Sequence, residues 1–105
     1  MKVEEIKIDI PVIYWKTITE SGERNDPVKT IIKSDPWVLA SGECVCMVKH
    51  ISGCVAINHL DKVTPGSLIA AKFKGLTDIS SEEIKDCSVK YMKEIGSKIN
   101  VYFNE

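Results

Sequence analysis

IKIDIPVIY, residues Ile6 to Tyr14, places apolar side chains at every second position: Ile6, Ile8, Ile10, Val12 and Tyr14. Lys7, Asp9 and Pro11 stand between them. Side chains along a strand point to opposite faces in turn, so a period of two predicts a strand with one buried face. Pro11 has no N–H to give to a ladder, which predicts an edge strand or a bulged one.

Further strands are expected on both sides of later turns. TESGERNDP (Thr19–Pro27) is dense in turn formers and reads as a long polar loop. VKTIIK (Val28–Lys33) reads as a short strand, SDP (Ser34–Pro36) as a turn, and WVLA (Trp37–Ala40) as another extended piece. ECVCMVKH (Glu43–His50) is apolar at both parities, the pattern of a strand covered on both faces. ISG then closes a hairpin and CVAINHL (Cys54–Leu60) returns. After the turn DKVTPG (Asp61–Gly66), SLIAAKFK (Ser67–Lys74) is read as a strand with Phe73 inward and its flanking lysines outward.

One helix is expected, over about 81–95. Ser80 and Glu83 have capping-box spacing. Ile84, Cys87, Tyr91, Met92 and Ile95 make an apolar stripe, and Gly96 supplies a stop. INVYFN (Ile99–Asn104) alternates again and reads as a last strand. The sum is an α+β fold. Its expected form is a curved antiparallel or mixed sheet, or a small β-barrel, of about six or seven strands. A single C-terminal helix and a final strand complete it. With 105 residues, residues 1–105 are expected to form a single domain.

Composition narrows the function classes. Net charge is −1, with 44% hydrophobic and 28% charged residues, which suits a folded core. The amino terminus interleaves charge with isoleucine and contains no signal-like apolar run. No segment has the ~18 apolar residues a membrane helix needs. A cytoplasmic setting with reduced cysteines is therefore expected. Arg24 is the chain's one arginine, which counts against phosphate recognition by guanidinium forks.

ECVCMVKHISGCVAINH (Glu43–His59) gathers three of the four cysteines and both histidines. These are zinc-ligand types, but the spacing is poor. On a strand Cys44 and Cys46 stand about 6.6 Å apart, and His50 lies about 13 Å further on. Zinc bonds span only about 2.0–2.3 Å. A His50–Cys54 pair across the hairpin would suit a thiolate–imidazolium dyad, but no third group to orient it is legible. Core packing is the simpler reading of these cysteines. No cofactor and no catalytic residue is assigned. A metal- or thiol-dependent centre at Cys44, Cys46, His50 and Cys54 stands as an alternative.

A second alternative is a nucleic-acid-binding barrel using Lys49, Lys62, Lys72 and Lys74. PGSLIAAKFKG (Pro65–Gly75) resembles the turn-then-strand openings of small nucleic-acid-binding β-barrels, and no residue role is carried over from them. Residues 27–74 hold six lysines against three acids, an excess that a solvated face explains equally well. The leading expectation is a non-enzymatic binding or interaction domain that meets a protein partner or forms a homodimer. Its candidate contact surface joins Glu20, Glu23, Arg24, Asn25 and Asp26 of the long loop to Trp15 and Trp37 at strand ends. The Pro11 strand is a further candidate for dimer contact.

Overall fold

The computed structural model describes residues 1–77 and 79–103. Its central strand is β1 (Pro11–Ile18), which carries the run Val12-Ile13-Tyr14-Trp15. Adjacent strand residues face opposite sides, so four apolar residues in succession bury both faces at once. Val12 and Ile13 are both 0% exposed and Trp15 is 3% exposed. β2 (Arg24–Ile31) and β6 (Leu60–Lys62) flank β1, antiparallel to it, in the order β2-β1-β6.

A second antiparallel sheet of three strands runs β3-β4-β5, from β3 (Trp37–Val38), β4 (Cys44–Cys46) and β5 (Val55–Ala56). Two helices follow, α1 (Pro65–Phe73) and α2 (Ser81–Phe103). The first sheet is the middle layer. Val12, Ile32 and Leu60 meet Cys46, Val48 and Val55 of the second-sheet region in one core. Ile13 and Trp15 meet Leu68 and Ala71 of α1 in the other, together with Ile79, Ile84 and Cys87. Among the described residues, no helix is long and apolar enough to cross a membrane.

This architecture corrects the sequence reading in several places. Among the described residues there are two separate sheets of three strands, not one sheet of six or seven, and no barrel is closed. The Pro11 strand is not an edge strand: β2 lies along one side, and β6 pairs with Val12–Tyr14 on the other. Pro11 is tolerated as its first residue, where a missing donor costs least. Residues 6–10 lie outside the strand: Val3–Glu5 is a 3-10 turn, Asp9 takes φ +71°, and Ile8 is 51% exposed.

The long polar loop is a tight hairpin. Thr19 N–H donates to the Glu23 carbonyl at 2.9 Å, and Gly22 N–H donates to the Thr19 carbonyl at 2.9 Å. Arg24, Asn25, Asp26 and Pro27 are already inside β2. Lys49 N–H donates to the Ile31 carbonyl on the outer side of β2, while Ile32 N–H donates to Ile10 on the β1 side. Alternation from Ile31 directs Pro27's missing donor outward, where the sheet does not need it.

Residues 65–73 are a helix and not the expected strand. The Thr64 hydroxyl accepts from Ser67 N–H at 3.1 Å, and the Ser67 hydroxyl accepts from Thr64 N–H at 2.8 Å. This reciprocal cap, with Pro65 in the first turn, starts the helix. Ala70 and Ala71 favour its continuation. The expected start of α2 is correct: Ser80 Oγ accepts from Glu83 N–H at 3.1 Å. The expected stop at Gly96 and the last strand over 99–103 are not, since helical backbone runs through Phe103. Asn104 lies outside the described residues.

Candidate functional site

One side of α1 faces the core and the other faces solvent. Leu68 and Ala71 are 0% exposed, whereas Ile69 is 56% and Phe73 is 91% exposed. The helix therefore presents two large apolar side chains, one turn apart, that are exposed. Beside them runs a groove of about 580 Å³, lined by Trp15, Arg24, Asp61, Gly66, Ile69 and Phe73 among others. A neighbouring groove of about 490 Å³ continues past Gly66 and Ala70 towards Glu5 and Lys62. Asp61, Gly66 and Ala70 line both, so the two form one trough along α1.

A polar network fixes the floor. Trp15 Nε1–H donates to Asp61 Oδ2 at 2.9 Å. The other oxygen of Asp61 pairs with Arg24 Nη1 at 2.6 Å. Arg24 Nη2 donates to the Asn58 carbonyl at 2.9 Å. One carboxylate thereby ties the indole of β1 to the guanidinium of β2. His59 Nδ1 lies 2.7 Å from the Trp15 carbonyl, and its ring tilts against Tyr14.

Ion pairs rim the trough. Lys74 bonds to Glu23 and, at 3.1 Å, to Asn25 Oδ1. The ammonium of Lys74 beside Glu23 holds that carboxyl below its usual range. Lys62 acts in the same way on Glu5, assisted by a hydrogen bond from Lys2 N–H. Lys29 pairs with Glu83 and so links β2 to the first turn of α2.

The expected contact residues divide between several places. Trp15 is in the core with its indole nitrogen satisfied, so it forms the floor of a site and is not a free anchor. Arg24 lines the groove, while Glu23 and Asn25 meet it through Lys74. Glu20 and Asp26 are exposed on the β1–β2 hairpin, and Asp26 accepts from the Thr17 hydroxyl at 3.2 Å. Trp37, 39% exposed, belongs to the other sheet.

The cysteines and histidines of the cluster differ in burial. Cys46 is 0% exposed within the core, Cys44 is half-buried, and Cys54 and His50 are exposed. His50 takes φ +67° in the turn after β4. Burial pushes the Cys46 thiol above its usual range, and the proximity of Cys44 and Cys54 adds to this. Among the described residues, no three His, Cys, Asp or Glu side chains are grouped so as to hold a metal ion. Of the four lysines considered for nucleic acid, Lys62 and Lys74 are engaged by Glu5 and Glu23.

Asp61, Gly66, Ile69, Ala70 and Phe73 were not expected at a site. Reading 67–74 as a strand directs Phe73 inward, which is the reverse of its placement. The available signal was Thr64-Pro65 followed by Ser67, a helix start. Once 65–73 is helical, i, i+4 spacing puts Ile69 and Phe73 on one face. Compared with known proteins, the chain matches no family model, no curated protein and no solved structure.

Proposed function

We propose that this protein is a small non-enzymatic interaction domain, and that the trough along α1 is its contact surface. The observation that carries the reading is the exposure of Phe73 (91%) and Ile69 (56%) beside a groove floored by Trp15. Large apolar side chains rimmed by polar groups mark contact sites, because covering them releases water at little polar cost. Phe73 supplies an aromatic anchor of the kind that dominates such surfaces. Arg24, Asp61, Glu23 and Lys74 supply a rim whose charges are already paired, so an apolar segment can settle without stranding an ion. Lys62 and Lys74, two of the four lysines considered for a nucleic acid, are already paired with Glu5 and Glu23, which weighs against that partner.

A random peptide library selected on the folded protein tests this. Peptides with apolar or aromatic anchors are expected to be recovered. Ile69→Glu is expected to weaken them by about tenfold or more, with Trp37→Ala neutral. Recovery of peptides that tolerate Ile69→Glu but are lost with Trp37→Ala would move the contact surface to the other sheet. Recovery of none would remove the reading.

A further inference from the structure

From Val89 to Lys93 every residue of α2 is exposed. Five successive residues pass all round a helix, so by this point α2 has left the body of the protein on every side. Ile84 and Cys87, earlier in the helix, still pack on the core. The emerging stretch is nevertheless rich in apolar side chains: Val89 is 49%, Tyr91 43% and Met92 65% exposed. Helical backbone continues through Phe103. At about 100° per residue, positions Tyr91, Ile95, Ile99, Met92, Phe103 and Val89 fall in that order across one arc of about 160°. Val101 is the one apolar residue of 89–103 placed outside it. Lys93 and Lys98 stand at the two borders of the arc, with Lys90 and Glu94 between them on the opposite side.

We propose that this half of α2 docks on an anionic lipid surface, lying in the plane of the membrane with its apolar arc towards the acyl chains and its lysines at the headgroups. This surface is separate from the trough along α1 and goes beyond the interaction reading above. No described helix is apolar enough to cross a bilayer, and a helix that lies on one does not need to be. The width of the arc selects the occupant. A helix that pairs with one other helix needs only a narrow seam, apolar at two positions in seven. Here nearly half of the circumference is apolar, which a flat fluid surface covers and a single helix does not.

Charge selects the lipid. Residues 88–103 hold three lysines and one acid, whereas residues 1–87 hold eleven basic and thirteen acidic residues. Lys90 and Lys93 are exposed and have no ion pair among the described residues. They are free to meet anionic headgroups, unlike Lys62 and Lys74, which Glu5 and Glu23 already engage. A lysine at the border of an apolar arc can lay its methylene stem along the acyl boundary while its ammonium reaches the headgroups. Tyr91, at the other end of the arc from Val89, has the apolar body and polar tip that suit the same boundary.

Co-sedimentation of the 105-residue chain with lipid vesicles tests the proposal. The chain is expected to pellet with phosphatidylcholine vesicles that hold about one third phosphatidylserine, to be released as salt is raised, and to stay in solution with phosphatidylcholine alone. Lys90→Gln combined with Lys93→Gln is expected to weaken binding by about thirtyfold, and Met92→Glu to abolish it. All three positions are exposed, so the fold tolerates these changes, as circular dichroism will verify. Met92→Trp gives a second readout, an emission that moves to shorter wavelength on adding the anionic vesicles. Ile69→Glu on α1 is expected to bind vesicles as the wild type does, so this proposal and the trough reading fail separately. No pelleting with anionic vesicles, equal pelleting with neutral ones, an unmoved Met92→Trp emission, or binding that survives Met92→Glu overturns the proposal. Self-association that Met92→Glu removes, with no vesicle binding, gives the face to a second copy and overturns it equally.

Discussion

Asp61 holds two partners that differ in their access to water. The indole of Trp15 is 3% exposed, whereas the side chain of Arg24 is 34% exposed. Losing the carboxylate leaves a buried N–H without an acceptor, and that desolvation cost is not recovered. Losing the guanidinium leaves a carboxylate that water and Trp15 still satisfy. Asp61→Ala is therefore expected to lower unfolding free energy by about 1–3 kcal/mol, and Arg24→Ala by less than about 1 kcal/mol. Urea titration of both variants checks the order. None of this was legible at residue level: Asp61 sat in a supposed turn, and its partners are 46 and 37 positions away in sequence. The cysteines, by contrast, were partly legible. Cys46 packs in the core as a small hydrophobe, but exposed Cys54 departs from that account because it precedes β5 instead of lying within it.

Elements were readable where local chemistry and packing agreed. The capped start of α2 was found because Ser80 and Glu83 flag it within four residues. At α1 two local signals conflicted. Ile69 and Phe73 favour a strand by type, whereas Thr64-Pro65, Leu68 and Ala70-Ala71 favour a helix. The cap and the apolar pair Leu68 and Ala71 decide it, because only a helix places those two together on Ile13 and Trp15. Thr64→Ala removes the hydroxyl that accepts from Ser67 N–H and should cost about 1 kcal/mol. The midpoint of thermal unfolding will register it, and an unchanged midpoint would mean that tertiary packing alone holds this end. The first strand misled for a different reason. The alternation over Ile6–Ile10 is regular, but Asp9 in the left-handed region turns the chain there, and the unpatterned run Val12–Trp15 marks the true strand.

At the scale of the whole molecule, α+β composition and a folded core could be read from the sequence, but the layering could not. Pairings such as Val12 with Lys62 link distant positions, and periodicity carries no record of them. The two cores are distinct sets of side chains, yet both are anchored on β1. Displacing that strand opens both, so a single unfolding transition is expected. Trp15 reports from the helix side and Trp37 from the second sheet. Single-tryptophan variants should melt at the same temperature, and Ile13→Ala should lower both together by the equivalent of about 2–5 kcal/mol. Separated transitions would show that the layers are independent. The shared strand also constrains how the chain can change in length. Deleting or inserting one residue within Val12–Trp15 would exchange the side chains allotted to the two cores, giving each layer the partners shaped for the other. A change of two residues keeps the allotment. Related chains should therefore vary in length within the 19–23 turn, and inside β1 only by even steps.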